Sequence, residues 1–427
     1  MRRRRAGDAH VPQSGRRDGD RGRGPRQDAQ PLRRGEGRLT DWVARAREVV
    51  PKLAAAADRI EADRRLPADV LKELHDAGLF RLLMPRALGG AELEPALFMQ
   101  AIEAVAQGDA STAWCLCQAC GSSMSAAYLE PAAAREMFGP GVSIAWGPGS
   151  GRAVPVPGGH RISGKWAFAS GGRHATWLGG RCTIMGADGK PLLDAAGKPV
   201  GRTMLFEGTA ARWTDDWHTI GLRGTGSDSY AVEDVFVPET HSFATDYTLS
   251  PDDTTKRYIT ERLYCFPAQS IFASGFAGVA LGLARAVLDS FLETARDKTP
   301  RGSSQLLRED PVVQLRFGEA EARIRAARVF LIETLKEMWA EASPPKPLTL
   351  DQRVSIRMAA TRALLEARDA LDSIYHAAGA TAPFDRQPYE RRFRDMHTVV
   401  QHIQARQQHF MVVGRHLFGL EVDTTYV

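Results

Sequence analysis

Several common signatures are missing from this 427-residue chain, and each absence narrows its reading. No run of about 18 consecutive apolar residues stands out, so a membrane-spanning helix is not expected. The opening MRRRR leads into no apolar stretch, so a secretory leader is not expected either. There are five cysteines, Cys115, Cys117, Cys120, Cys182 and Cys265, and no second CxxC to complete a zinc site. An odd count without a leader suits a reducing cytoplasm. Cys117 and Cys120 have redox-pair spacing, but they lie in the helical, Ala/Ser-rich run STAWCLCQACGSSMSAAYL, where small buried thiols are the better reading. No GxGxxG, P-loop, HExxH or GxSxG motif occurs in a suitable context, so none of their chemistries is indicated.

Charge is unevenly spread. Residues 1–38 hold twelve arginines against five acids and no aromatic residue, while the whole chain is only +5, so the rest is mildly acidic. Such a tail cannot build a core. A disordered Arg-rich tail is expected there, and nucleic-acid binding is not. Residues 39–138 read as an N-terminal helical domain. Over 139–250, Gly and Pro become frequent and short alternating runs appear (HRISGKWAFAS, TWLGGRCTIMG, TMLFEG, YAVEDVFVP), the pattern of strands joined by turns. Residues 251–427 read as four long helices, the last running from PYERRFRD to HLFGL, which suits an antiparallel bundle.

Three constellations could carry chemistry. WGPGSG (146–151) and KWAFASGG (165–172) put aromatic, Gly and Ser residues at strand ends. Alternation places Trp166, Phe168 and Ser170 on one strand face, as core packing or as the wall of a ligand pocket. GLRGTGSDS (221–229) is a glycine-broken turn feeding a strand. The last helix carries His397, His402, His409 and His416. His397 and His402 are five apart, about 140° round a helix, so they are not expected to share a pocket. The spacing does not favour a metal.

The order LPADVLKELHDAGLFRLLMPRALGGAE, GDASTAW, SGKWAFASGG, GLRGTGSDSYAVEDVFVPE and FRDMHTVVQH resembles the acyl-CoA dehydrogenase fold over residues 40–420. More narrowly, it is similar to the group D flavin-dependent monooxygenases of that fold, the oxygenase components of two-component aromatic hydroxylases. The implied fold class is α+β, mostly α: an N-terminal helical domain, a central β-barrel-like domain and a C-terminal four-helix bundle. The implied activity uses reduced flavin (FMN or FAD), delivered by a separate reductase, and O2. A flavin C4a-hydroperoxide then hydroxylates a phenolic or indolic substrate. The alternative is an acyl-CoA dehydrogenase or another flavin reaction of the same fold. Against it, no acidic residue follows Arg394-Asp395 until Glu421, where many dehydrogenases keep a catalytic Glu. The resemblance makes His402 or His397 the histidine near flavin and substrate, and Ser170 the partner of flavin N5. It also places Trp146, Gly147, Phe168, Arg301, Ala378 and Gly379 at the cofactor, and implies a homotetramer. One departure stands out: where several relatives carry a His after STAW, this chain has Ser122.

Overall fold

The computed structural model describes residues 41–244 and 260–427. The arginine-rich tail and the 250/251 domain boundary lie outside the described residues. The first five helices are α1 (Trp42–Asp63), α2 (Ala68–Asp76), α3 (Pro95–Gly108), α4 (Ala110–Ser123) and α5 (Pro131–Met137). Their starts are chemically marked. The Asp41 carboxylate accepts the Ala44 N–H at 2.9 Å, and Asp109 accepts that of Thr112 at 2.6 Å.

Eight strands follow: β1 (Ile144–Ala145), β2 (Gly149–Val156), β3 (Gly159–Trp166), β4 (Trp177–Ile184), β5 (Gly201–Glu207), β6 (Arg212–Thr214), β7 (Ser229–Pro238) and β8 (Ser242–Ala244). They form one mixed sheet in the order β6-β7-β3-β2-β4-β5-β8, with β1 parallel to β4. Trp166, Tyr230, Phe206 and Met204 fill its core, with Trp166 stacked on Tyr230 at 5.4 Å.

The chain ends in α6 (Ala268–Asp297), α7 (Pro311–Glu341), α8 (Leu350–Ala378), α9 (Glu390–Val399) and α10 (His409–Leu417). Helix α6 is long and apolar enough to cross a membrane by composition, although it holds no unbroken apolar run of that length. Burial of 89% of its apolar window makes it a core helix instead. It packs directly on α3 because its contact stripe has no side chains. A Cβ at Gly278 would lie 2.7 Å from the Met99 carbonyl oxygen, and one at Gly282 would lie 2.3 Å from that of Glu103. The N- and C-terminal helices thereby share one hydrophobic core. Cys117 and Cys120 are buried in it, and desolvation raises both thiol pKa values.

Two local expectations fail. The fourth long helix is broken between Val399 and His409, and His402 is extended there (φ −66°, ψ 149°). No proline or glycine causes the break. Tertiary bonds do: the Gln404 side chain bonds to Arg357 and, at 2.7 Å, to Gln269, so the backbone leaves the helix to bury it. The expected one-faced array of Trp166, Phe168 and Ser170 does not form either. Strand β3 stops at Trp166, and Phe168 takes a left-handed φ of +56° that turns its ring outward.

Candidate active site

The segment after β3 is held by its backbone. Ala167 N–H donates to the Pro148 carbonyl, Ala169 N–H to that of Asp228, and Gly171 N–H to that of Thr225. Gly147 lies directly against it, and a Cβ there would stand 1.7 Å from the Ala167 carbonyl oxygen. Gly147→Ala is therefore expected to cost at least about 3 kcal/mol of stability, whether or not flavin is present. Thermal unfolding with and without flavin checks this, and a wild-type melting curve would refute it.

The facing loop, residues 222–228, is pinned by two buried carboxylates. Asp228 accepts the Asp216 and Trp217 N–H groups, both at 2.9 Å, and pairs with Arg173 at 2.8 Å. Asp395, from α9, accepts the Leu222 N–H at 2.6 Å. Burial raises the Asp395 pKa to about 7, with Asp109 and Glu61 adding to the rise against the Leu222 bond and Arg394. The aspartate of the RD pair thus anchors a loop.

Between these loops runs a chain of three hydroxyls. Thr225 Oγ1 lies 2.8 Å from the Leu222 carbonyl oxygen, Ser227 Oγ lies 2.6 Å from Thr225 Oγ1, and Ser170 Oγ lies 2.7 Å from Ser227 Oγ. Each short O···O contact needs one proton, and a carbonyl has none to give. Thr225 therefore donates to Leu222, Ser227 to Thr225, and Ser170 to Ser227. Ser170 also accepts the Trp114 indole N–H at 3.0 Å. One lone pair remains on Ser170, and its proton is committed. Toward a ligand it is an acceptor only.

Trp114, on α4, links this serine to a histidine. It stacks on Phe276 of α6 at 4.0 Å, and the His402 ring meets Phe276 at 4.7 Å and the edge of Trp114 at 5.2 Å. Burial, followed by the positive charges of Arg357 and Arg406, lowers the His402 pKa to about 4, so the ring is neutral at pH 7. Its Nδ1 faces the Gln404 N–H at 3.4 Å, which leaves the proton on Nε2. Among the described residues Nε2 has no hydrogen-bond partner.

The other expected residues have their own surroundings. His397 bonds Asp372 at 2.9 Å and packs on Phe393, so the two histidines do not meet. Trp146 packs against Phe243 and the Gly179 backbone. Phe168 stays 58% exposed, edge-on to Trp217 at 6.1 Å. Arg301 is exposed on the turn after α6. Gly379 holds φ +59°, ψ −145°, a conformation reserved for glycine. Lys298 clamps its turn by donating to the Ala378 carbonyl at 2.5 Å and to Thr381 at 2.6 Å. That turn ends α8, 21 residues beyond Arg357 and about 30 Å away along the helix axis. Within one chain, it and His402 belong to different regions.

Reading by residue type missed Trp114, Phe276, Thr225 and Ser227. The alternate hydroxyls of GTGS were a usable signal for the last two. Phe276, within an apolar helix, left none.

An exposed aromatic ring beside an acceptor-only serine suits a flat ring edged with an N–H. That is the cofactor chemistry of a flavoenzyme with a helical–sheet–helical fold. The acyl-CoA dehydrogenase N-terminal domain matches residues 40–136 and the C-terminal domain matches 274–407, together more than half the chain. The chain is 29% identical to the flavin-dependent monooxygenase oxygenase subunit HsaA of Mycobacterium tuberculosis, over 89% of this chain and 95% of that one. Among solved structures, the 3-HSA hydroxylase from Rhodococcus sp. RHA1 superposes with a TM-score of 0.80 at 27% identity, covering 91% and 99% of the two chains. XiaF from Streptomyces sp., in complex with FADH2 and glycerol, gives 0.81 at 25% identity over 90% and 97%. The chain belongs to the acyl-CoA dehydrogenase family, in its branch of flavin-dependent monooxygenase oxygenase components. An oxygenase component implies a reductase as its partner.

Proposed function

We infer that this chain hydroxylates a phenolic or indolic ring with O2 and reduced flavin, and that Ser170 and His402 are its two polar working groups. The observation that carries this reading is the Ser170–Trp114–His402 cluster, with the polarity of both ends fixed by their neighbours. Phe168 and Ser170 would hold the flavin, the serine accepting an N–H from its ring. The bound flavin supplies the oxygen-transfer chemistry. Trp114 and Phe276 keep water from the space beside Ser170. His402 presents Nε2–H, so it donates a hydrogen bond to an oxygen atom of the substrate or oxidant. A general base would instead need a free lone pair on the same nitrogen.

The reductase delivers reduced FMN or FAD as a transient partner. Exposed apolar side chains support assembly with further copies of this chain, as a tetramer: Val312, Leu315, Val329 and Phe330 on α7, and Leu417 and Phe418 near the C-terminus. Five free, buried thiols support a cytoplasmic location. The direct test incubates the protein with reduced FMN or FAD, O2 and a panel of phenols and indoles. A product heavier by one oxygen atom is expected, and its absence across the panel would refute the reading. His397→Gln should leave product per flavin oxidised within about twofold of wild type. A collapse of that ratio would return His397 to the site.

A further inference from the structure

Arg357 lies on α8, eight residues into the helix, with a relative exposure of 1%. A guanidinium taken out of water needs a counter-charge. Arg394 and Arg328 have theirs, bonding Glu61 at 2.8 Å and Glu103 at 2.7 Å. No carboxylate among the described residues pairs with Arg357. Its Nη1 donates to the neutral Gln404 Oε1, and its buried Nε has no partner. One helical turn further on, the buried Thr361 Oγ1 is also unpartnered. Burial lowers the Arg357 pKa to about 10, which leaves it charged at pH 7.

The location ties this cation to the site. Gln404 bonds Arg357 through its side chain and faces His402 Nδ1 through its backbone N–H. Both His402 and His409 feel the charge of Arg357. A carboxylate at Arg357 Nε would be separated only by Gln404 from the His402 ring, which packs on Phe276 and Trp114. A guanidinium fork matches a carboxylate's two oxygens.

We propose that Arg357 is the anion-binding group of the substrate site, and that the substrate is an aromatic acid whose carboxylate it neutralises. This deepens the hydroxylation reading and rests on His402 facing the substrate. Gln404 positions the guanidinium, and Thr361 Oγ1 supplies a hydroxyl beside it. A neutral phenol or indole fills the same apolar walls but leaves the cation uncompensated.

The test titrates the full chain calorimetrically, anaerobically with reduced FMN and again without flavin. The probes are phenolic and indolic arylacetic acids and their matching arylacetamides. Wild type should bind each acid at least 10-fold more tightly than its amide. Arg357→Gln should abolish that preference without weakening amide binding, and Arg357→Lys should retain part of it. Equal affinities in wild type, or a preference that survives in Arg357→Gln, would overturn the proposal. So would an Arg357→Gln variant that loses FMN relative to riboflavin while keeping its acid preference, since Arg357 would then serve the flavin phosphate. If Arg357→Gln does not fold, the wild-type ratio and the lysine variant decide. The two readings fail separately. Acid preference without any oxygenated product sinks the hydroxylation reading. Oxygenation of neutral phenols without acid preference sinks only the anion site.

Discussion

Ser170→Ala is expected to lower hydroxylated product per flavin oxidised by about 10²-fold, with hydrogen peroxide released in its place. The variant removes the one acceptor that the hydroxyl chain leaves free. It also strips the Trp114 indole of its only bond partner among the described residues, so the ring that walls off the site loses its anchor. The chain's polarity gives a finer test. Thr225→Val removes the acceptor for the Ser227 proton. Ser227 then turns its proton to Ser170, and Ser170 becomes a donor with its own proton free. A loss of about 10-fold is expected from this distant change, about one hydrogen bond's worth. Thr225→Ser should restore coupling. Affinity offers a readout independent of turnover: wild type should prefer reduced flavin, which carries an N–H at N5, over oxidised flavin, which does not. Thr225→Val should narrow that ratio. Unchanged product, peroxide and affinity ratios in Ser170→Ala would remove this serine from the mechanism.

The second large effect concerns His402 and pH. Its pKa is about 4 in the fold against about 6.5 unfolded, so the unfolded chain takes up the proton first as pH falls. The neutral ring's contribution to stability is complete above about pH 6.5 and is lost as pH falls toward 4. Between pH 7 and pH 5 the loss is about 2 kcal/mol. Denaturant unfolding of wild type and His402→Gln at both pH values isolates it. The difference between the two proteins should shrink by that amount on acidification, and a constant difference would refute the shifted pKa. Comparison with the variant matters because His174, lowered to about 4 by burial and by His75, titrates alongside with the same sign. Asp395, raised to about 7, acts in the opposite sense. For turnover, a neutral Nε2–H donor implies no inflection near pH 6.5 in product per flavin oxidised. His402→Leu should lose coupling by about 10²-fold, while His402→Gln, which keeps an N–H donor, should lose less. An inflection near 6.5 that vanishes in both variants would make His402 the base.

Particular residues show how far the chain could be read in advance. GLRGTGSD and KWAFASGG marked the loops that build the site, because glycine at a strand end has few other uses. The missing acid after Asp395 weighs against a dehydrogenase on sequence alone. Alternation failed at Phe168, because a turn three residues long is governed by backbone bonds to Asp228 and Thr225, which lie far along the chain. The continuous last helix failed at His402, because burying the Gln404 side chain against Arg357 outweighed local helical preference.

The sequence by itself determined the order of helical, strand and helical segments, the small-residue face of α6 and the candidate loops. These depend on periodicity and on residue size, which are local properties. Only the tertiary structure put His402, and not His397, against Trp114 and Phe276, made Ser170 an acceptor, made Asp395 a loop anchor, and left Arg357 without a counter-charge among the described residues. Each of those is a question of which group meets which across many tens of residues of chain, 47 between Arg357 and Gln404 and 173 between Leu222 and Asp395, or of which group is left unmet. That is settled by packing and desolvation.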